Sequence, residues 1–310
     1  MRLIRRKYHC DEDYWRVRGF LRTVFLLHDR REVCWPLYRW DYWRWHVNEN
    51  ICHFDLSAAI FLWETADGRL AAVLHPDGPG EAFLQVHPAF RSTDLEVQIM
   101  ATAETQFAVT QPGGGQRLTL WVHQDDALRQ DLLRRRGYAR GDYPEFQRRR
   151  CLDADRPIPD LQPPAGYVVR ALGDESEHPA RSWLSWKAFH PHEPDEDYEG
   201  WAWYRNVQRA PLYRRDLDLV AVAPDGELAA FCTLWFDDVT RTAAFEPVGT
   251  HPAHQRRGLG KALMAEGLRR VAGLGATLCT VGSYSEAAGA LYASLGFTEY
   301  DLSEPWVKVW

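Results

Sequence analysis

The chain has 310 residues, 45% of them hydrophobic and 26% charged, with a formal net charge of −6. This is the composition of a globular protein, for which about two domains is the expectation at this length. No apolar run reaches the ~20 residues that a membrane-spanning helix needs, and the basic start MRLIRRKYHCDEDYWRVRGF is followed by no apolar stretch, so no secretory signal is expected.

Charge is uneven along the chain. Residues 1–150 hold 22 Lys/Arg against 20 Asp/Glu, and residues 151–310 hold 15 against 23. An acidic second half argues against nucleic acid as a partner and favours a cationic substrate. The six cysteines form no C-x-x-C pair and read as reduced packing thiols of a cytoplasmic protein. His9, Cys10, Cys52 and His53 lack metal-finger spacing, so no metal site is expected.

The first half opens with a helical stretch and continues through strands, a helix, a strand, a second helix and a final strand. Its dense aromatic patch, Trp35, Tyr38, Trp40, Tyr42, Trp43 and Trp45, reads as core or interface packing. CLDADRPIPDLQPPAG, residues 151–166, carries four prolines and no amphipathic period. It reads as an extended linker between a domain at 1–150 and one at 167–310.

The second half repeats the order of elements. Strands are expected over 217–223 and 228–235, joined by the turn Pro224-Asp225-Gly226, and over 241–250. A helix follows from about Gly258, with Leu263, Met264, Leu268, Val271 and Leu274 as its apolar stripe and Gly273 and Gly275 ending it. A short strand over 277–281, a helix over 285–295 and an alternating tail over 306–310 complete the sheet. The two halves also share sequence. HPAFRSTDLEVQIMA (87–101) lies over HPAHQRRGLGKALMA (251–265) without a gap, and LLRRRGY (132–138) lies over LYASLGF (291–297). A tandem duplication follows.

EPVGTHPAHQRRGLGKALM carries the chemistry. A strand runs out at Thr250, and Gly258-Leu259-Gly260 opens a helix. Unpaired N–H groups and the dipole at a helix N-terminus make an anion site, and glycines let a pyrophosphate approach the backbone. Arg256, Arg257 and Lys261 add positive charge. Walker A fails because Ala262 follows Lys261, and the Rossmann pattern fails at Leu263. What remains is Gln255-x-x-Gly258-x-Gly260.

With SYSEAAGALYASLGF downstream, this segment resembles the acetyl-CoA loop and the following strand-helix signature of the GNAT acyltransferase superfamily. The resemblance covers about residues 217–310. It implies an α/β (α+β) fold: two tandem GNAT-like domains, each a mixed, splayed sheet flanked by helices. It implies acetyl-CoA as co-substrate, with the pantetheine arm along Val248, Gly249 and Thr250 and the pyrophosphate cradled by Gln255, Arg256, Arg257, Gly258, Leu259, Gly260 and Lys261. Tyr292 stands where the superfamily has its thiolate-protonating tyrosine. Ser285 stands where an asparagine often holds the CoA arm. Glu246 is the candidate base, and strand alternation places it on one face with Ala244, Val248 and Thr250; a glutamate that only binds a cationic acceptor is the alternative. The acidic stretch around His190 and His192 reads as a solvated face bordering the acceptor side.

The first half has lost these residues. Asp94 and Glu96 replace Gly258 and Gly260, Ala82 replaces Glu246 and Leu133 replaces Tyr292. The arrangement is similar to mycothiol synthase in pairing two such domains, one of them active. The expected activity is acetyl transfer to a primary amine of a small, cationic molecule by direct attack in a ternary complex. A non-catalytic CoA-binding scaffold and a peptide N-acetyltransferase are the alternatives, and the oligomeric state is left open.

Overall fold

A computed structural model describes residues 2–310. In chain order the strands are β1 (Ile4–Lys7), β2 (Phe61–Glu64), β3 (Leu70–Pro76), β4 (Glu81–Val86), β5 (Val109–Thr110), β6 (Gln116–His123), β7 (Ala139–Arg140), β8 (Glu145–Cys151), β9 (Val168–Ala171), β10 (Asp218–Val222), β11 (Leu228–Asp237), β12 (Thr242–Thr250), β13 (Leu278–Ser283) and β14 (Glu299–Val309). The α-helices are α1 (Asp11–Leu27), α2 (Leu37–Tyr42), α3 (Leu56–Ala59), α4 (Thr93–Phe107), α5 (Ala127–Arg135), α6 (His178–Phe189), α7 (Ala202–Val207), α8 (Leu259–Gly273) and α9 (Glu286–Ala293). They form two compact units. One comprises the described residues up to 43, 51–146 and 301–310, the other residues 44–50 and 147–300.

The first unit orders its strands β1-β2-β3-β4-β6-β14, with β5 on β6 and β7 on β14. Ser92 caps α4 by accepting from Leu95 N at 3.2 Å. Leu95, Ile99, Met100, Ala103 and Phe107 then recur at helical spacing and are buried in the core. Most of the aromatic patch is core as well: Trp35, Trp40 and Trp43 pack around His75, their ring centroids 4.2, 5.3 and 5.7 Å from its own. Burial there pushes the His75 imidazole down to about 3 and keeps it neutral.

The parallel pairing of β4 with β6 covers only Glu81↔Thr119 and Ala82↔Leu120. Past Ala82 the strands part, and charged side chains fill the gap. Arg129 on α5 donates to the Leu84 carbonyl at 3.0 Å and pairs with Glu96 at 3.0 Å. Arg91 bridges Glu96 at 2.7 Å and Asp126 at 2.6 Å. Burial alone would push the Glu96 and Asp126 carboxyls up, but the two guanidiniums outweigh it and hold both below the usual carboxylate range.

The second unit orders its strands β8-β13-β12-β11-β10-β9, entering β8 at Gln147. The hairpin between β10 and β11 turns at Gly226, whose φ of 92° suits glycine. The apolar stripe of α8 (Leu263, Met264, Leu268 and Val271) is fully buried on the sheet. At Gly267 a Cβ would sit 2.8 Å from Leu234 and 2.9 Å from Phe245, so the helix lies close against β11 and β12.

Two segments fall outside the expected division at residues 151–166. Asp301–Trp310 joins the first unit, because β14 pairs with β6 from Ser303↔His123 to Val309↔Arg117 and Trp306 enters that core. Arg44–Asn50 joins the second unit on α7: Asn206 Nδ2 donates to Asn50 Oδ1 at 2.8 Å, and the Arg209 guanidinium lies 4.6 Å from the Trp45 ring. Ile158 and Leu161 of the proline-rich stretch pack on the second core.

The charged cluster of the first unit has a testable energetic consequence. Glu96→Ala leaves the Arg91 and Arg129 guanidiniums with Asp126 alone as a buried counter-charge and is expected to cost about 3 kcal/mol, read as a lower melting temperature. Depressed carboxyls stabilise above their unfolded pKa, about 4, and lose that contribution as pH falls. The gap between wild type and variant should therefore narrow towards acid. Equal melting temperatures at neutral pH would show that the cluster contributes nothing.

Candidate functional site

The site starts where strand pairing stops. β12 runs parallel to β13 from Thr242↔Leu278 to Phe245↔Val281, and no pair follows although β12 continues to Thr250. At the same point its register on β11 shifts: Cys232 faces Val248, but Leu234 faces Phe245. Glu246 and Pro247 thus form a bulge opposite Thr233. Pro247 has no N–H to give to a ladder, and the Trp235 indole N–H takes the Glu246 carbonyl at 2.5 Å. Burial changes there too: Thr242–Phe245 is buried and residues 246–250 are half-buried. Backbone groups of that stretch pointing towards β13 have no strand partner. The bulge also corrects the expectation of simple alternation. Phe245 and Val248 both pack on the α8 core, so side-chain parity flips between them, and Glu246 does not share a face with Ala244, Val248 and Thr250 by alternation.

At the foot of this splay α8 begins. Gly258 holds a φ of 86°, no side chain caps the helix, and a Cβ on Gly258 would meet no atom within 4 Å. A Cβ on Gly260 would sit 4.0 Å from Thr250 Oγ1 and 3.5 Å from Leu291, so the strand end and the helix start border one groove. Leu259 is buried and packs in the core, contributing its backbone only. Arg256 and Lys261 have no ion-pair partner among the described residues, whereas Arg257 donates to the Tyr167 hydroxyl at 2.9 Å and to the Ala253 carbonyl at 3.2 Å. Gln255 Nε2 turns back to the Thr250 carbonyl at 3.4 Å.

Across the splay lies α9. Ser285 caps it, accepting from Ala288 N at 3.2 Å, so its acceptor already serves the helix. Tyr292 is 7% exposed. Burial, then the charge of Glu246, push its phenol up to about 12. Glu246 and Tyr292, 46 positions apart in sequence, are thus near enough for the carboxylate's charge to act on the phenol. Gly249 is fixed by packing: a Cβ would lie 2.5 Å from the Phe231 ring and 3.1 Å from Ala188 Cβ of α6.

A splayed sheet, a glycine-opened helix at its foot and a buried tyrosine opposite give the setting for the comparisons. The family model described as Acetyltransferase (GNAT) family matches residues 178–297. A mycothiol acetyltransferase of Kineococcus radiotolerans is 34% identical over 248 residues, 75% of this chain and 76% of that protein. A second, from Paenarthrobacter aurescens, is 28% identical over 77% of this chain and 73% of its own. Among solved structures, a tandem GNAT protein from the clavulanic acid biosynthesis pathway matches with a TM-score of 0.67 at 18% identity, over 99% of this chain and 98% of that one.

The chain belongs to the GNAT acetyltransferase family. It is an enzyme of acetyl transfer to an amine, in a family whose acetyl donor is acetyl-CoA.

The registers of the two GNAT units agree with the sequence overlay. Ala72↔Val86, Val73↔Gln85 and Leu74↔Leu84 correspond to Ala230↔Thr250, Phe231↔Gly249 and Cys232↔Val248. Beyond that the first unit continues regularly, His75↔Phe83 and Pro76↔Ala82, with no bulge. Its Glu96 is not a carboxylate facing a groove but a buried ion-pair partner, while Asp94 is exposed. Arg129 reaches the carbonyl of Leu84, the counterpart of Val248.

Several residues that shape the site were not visible in sequence. Arg181 on α6, 1% exposed, pairs with Asp218 at 3.2 Å and lies 3.8 Å from the Phe231 ring centroid. Asp218 also accepts from Thr233 at 3.2 Å, from Tyr213 at 3.0 Å and from Tyr204. This network ties α6 and α7 to the sheet and presses Phe231 onto Gly249. The acidic stretch is exposed and Lys187 pairs with Asp195 at 2.8 Å, as on a solvated face. Among the described residues no group of three or more His, Cys, Asp or Glu is placed to hold a metal ion, and no helix is long and apolar enough to cross a membrane.

The groove can be tested at Gly260. Its Cβ position meets only ordinary contacts, so Gly260→Glu should fold normally, whereas any substitution at Gly258 also strains a positive φ. Gly260→Glu is expected to weaken acetyl-CoA binding more than tenfold, about 1.4 kcal/mol, at unchanged melting temperature. Calorimetry on the wild type should return one site per chain. A second site surviving Gly260→Glu would show that Arg129 and Glu96 do not close the first unit.

Proposed function

We propose that the second unit catalyses direct attack of a small primary amine on acetyl-CoA in a ternary complex. The observation that carries this reading is the uncapped, glycine-opened start of α8 at the foot of a splay shared by Glu246 and Tyr292. Acetyl-CoA supplies an acyl group activated as a thioester. The free backbone edge of Val248, Gly249 and Thr250 holds its arm. The N–H groups of the first turn of α8, with Gln255, Arg256 and Lys261, hold its pyrophosphate. Arg257 orients the loop through Tyr167. Ser285 contributes its hydroxyl proton, its acceptor being engaged.

The acceptor enters as an ammonium and must lose a proton before attack. Glu246, half-buried at the bulge, takes that proton through a water. As the new N–C bond forms and the C–S bond breaks, the leaving thiolate needs a proton. Burial keeps the Tyr292 phenol protonated at neutral pH, so it can supply one, and the phenolate left behind takes the second proton that the nitrogen sheds on becoming an amide. The relatives' name makes a mycothiol-type amine the first acceptor to test by thiol release, against a panel of other amines, peptides and aminoglycosides.

Tyr292→Phe should lower kcat by about 10² and leave acetyl-CoA affinity unchanged; a full-rate variant would remove the acid assignment. Glu246→Gln should lose activity near neutral pH and recover part of it at alkaline pH, where more amine is already neutral. A raised acceptor KM with an unchanged pH profile would instead make Glu246 a cation-binding group. Both variants must melt as wild type for either result to count.

A further inference from the structure

We propose that Arg148, on β8, is a positioning residue of the transfer, holding a guanidinium against α9 so that the Tyr292 hydroxyl gives up its proton more readily. The inference rests on Tyr292 acting as the acid. Arg148 Nε donates to the buried Ser283 Oγ at 3.1 Å. Its guanidinium lies against Gly289: a Cβ there would stand 2.6 Å from Nη2, 3.2 Å from Cζ and 3.4 Å from Nε. Glycine is a poor residue inside a helix, and α9 places one where a guanidinium needs the room. Gly289 and Tyr292 are three residues apart and so share a helix face. The charged groups acting on the phenol are Glu246, which holds its proton, and Arg148, the cation that opposes it. A serine anchor and a glycine seat make this a built position.

A residue that merely anchored α9 would change stability when lost. A cation acting on Tyr292 changes kcat, and Gly289→Ala separates the two. The added methyl displaces the flexible end of Arg148 while alanine improves helix propensity, so melting temperature should hold or rise. We expect kcat to fall about three- to tenfold, the scale of up to one pKa unit, with the KM for acetyl-CoA unchanged. Arg148→Met should lower kcat at least as much, and Arg148→Lys should recover part of the loss. In the Arg148→Met background Gly289→Ala should add nothing, and in the Tyr292→Phe background neither change should slow the enzyme further. Full kcat in Gly289→Ala and Arg148→Met, or losses that persist in Tyr292→Phe, would overturn the inference. Full kcat in Tyr292→Phe itself would overturn the acid assignment, and this inference with it.

Discussion

The groove of the second unit depends on one break in strand pairing, the parting of β12 from β13 after Phe245↔Val281. A sheet does not open in its middle without cause, because every abandoned backbone group loses a partner. Here the cause is local. The bulge at Glu246–Pro247 changes the direction of the strand, proline removes a donor, and the Trp235 indole takes up the Glu246 carbonyl. The half-buried residues 246–250 therefore present backbone on one side and meet the uncapped start of α8 at the end. Gly249 then allows Phe231 and α6 to close over the opposite face of the strand.

The first unit makes a corresponding break without a bulge and fills it differently. Its parallel pairing ends at Ala82↔Leu120, and the freed Leu84 carbonyl is taken by Arg129. Positions that are glycine in the second unit carry side chains in the first: Gln85 for Gly249, Asp94 for Gly258, Glu96 for Gly260. Gln85 accepts from Trp35 N at 2.8 Å and lies 3.0 Å from His75 Nε2, and Glu96 holds Arg129. A buried charge must be paired or it is too costly to keep. The cluster of Arg91, Glu96, Asp126 and Arg129 satisfies itself, so the gap is occupied by the unit's own paired side chains. Duplicated backbones have thus separated through the presence or absence of Cβ atoms along one groove.

Much of this was legible in sequence, for physical reasons that differ by element. Gly258 and Gly260, Tyr292 and the α8 stripe follow local rules of helix opening and periodicity, and the gap-free overlay exposed the duplication. Glu246 was visible as a carboxylate on the right strand, but its direction was not, since a bulge reverses parity and only the facing strand reveals it. The buried pair of Arg181 and Asp218, the placement of Arg44–Asn50 on α7 and the pairing of β14 with β6 are contacts between distant residues. No spacing rule reaches them. A partial signal was present in ADGRLAAV and PDGELAAF, residues 66–73 and 224–231, whose likeness fixes the register of the third strand in each copy. Ser285 has a further role that the motif did not single out: a serine before an apolar helix is also its cap, and it caps α9.

The closeness of Glu246 and Tyr292 has a consequence for the order of proton movements under the roles proposed for them. Their coupling is electrostatic and therefore reciprocal. While Glu246 is ionised, its charge adds to burial in holding the Tyr292 proton, so the acid does not ionise early. Once Glu246 has taken the proton of the amine, that repulsion disappears and the phenol becomes a stronger acid. The change is in place before the thiolate leaves and needs a proton. Deprotonating the nucleophile thus readies the acid, without movement of either side chain. A pair farther apart would lose this coupling to solvent screening, and a pair in direct hydrogen bond would share one proton between them. Burying the tyrosine within reach of the carboxylate's field, on the far wall of a splayed sheet, avoids both.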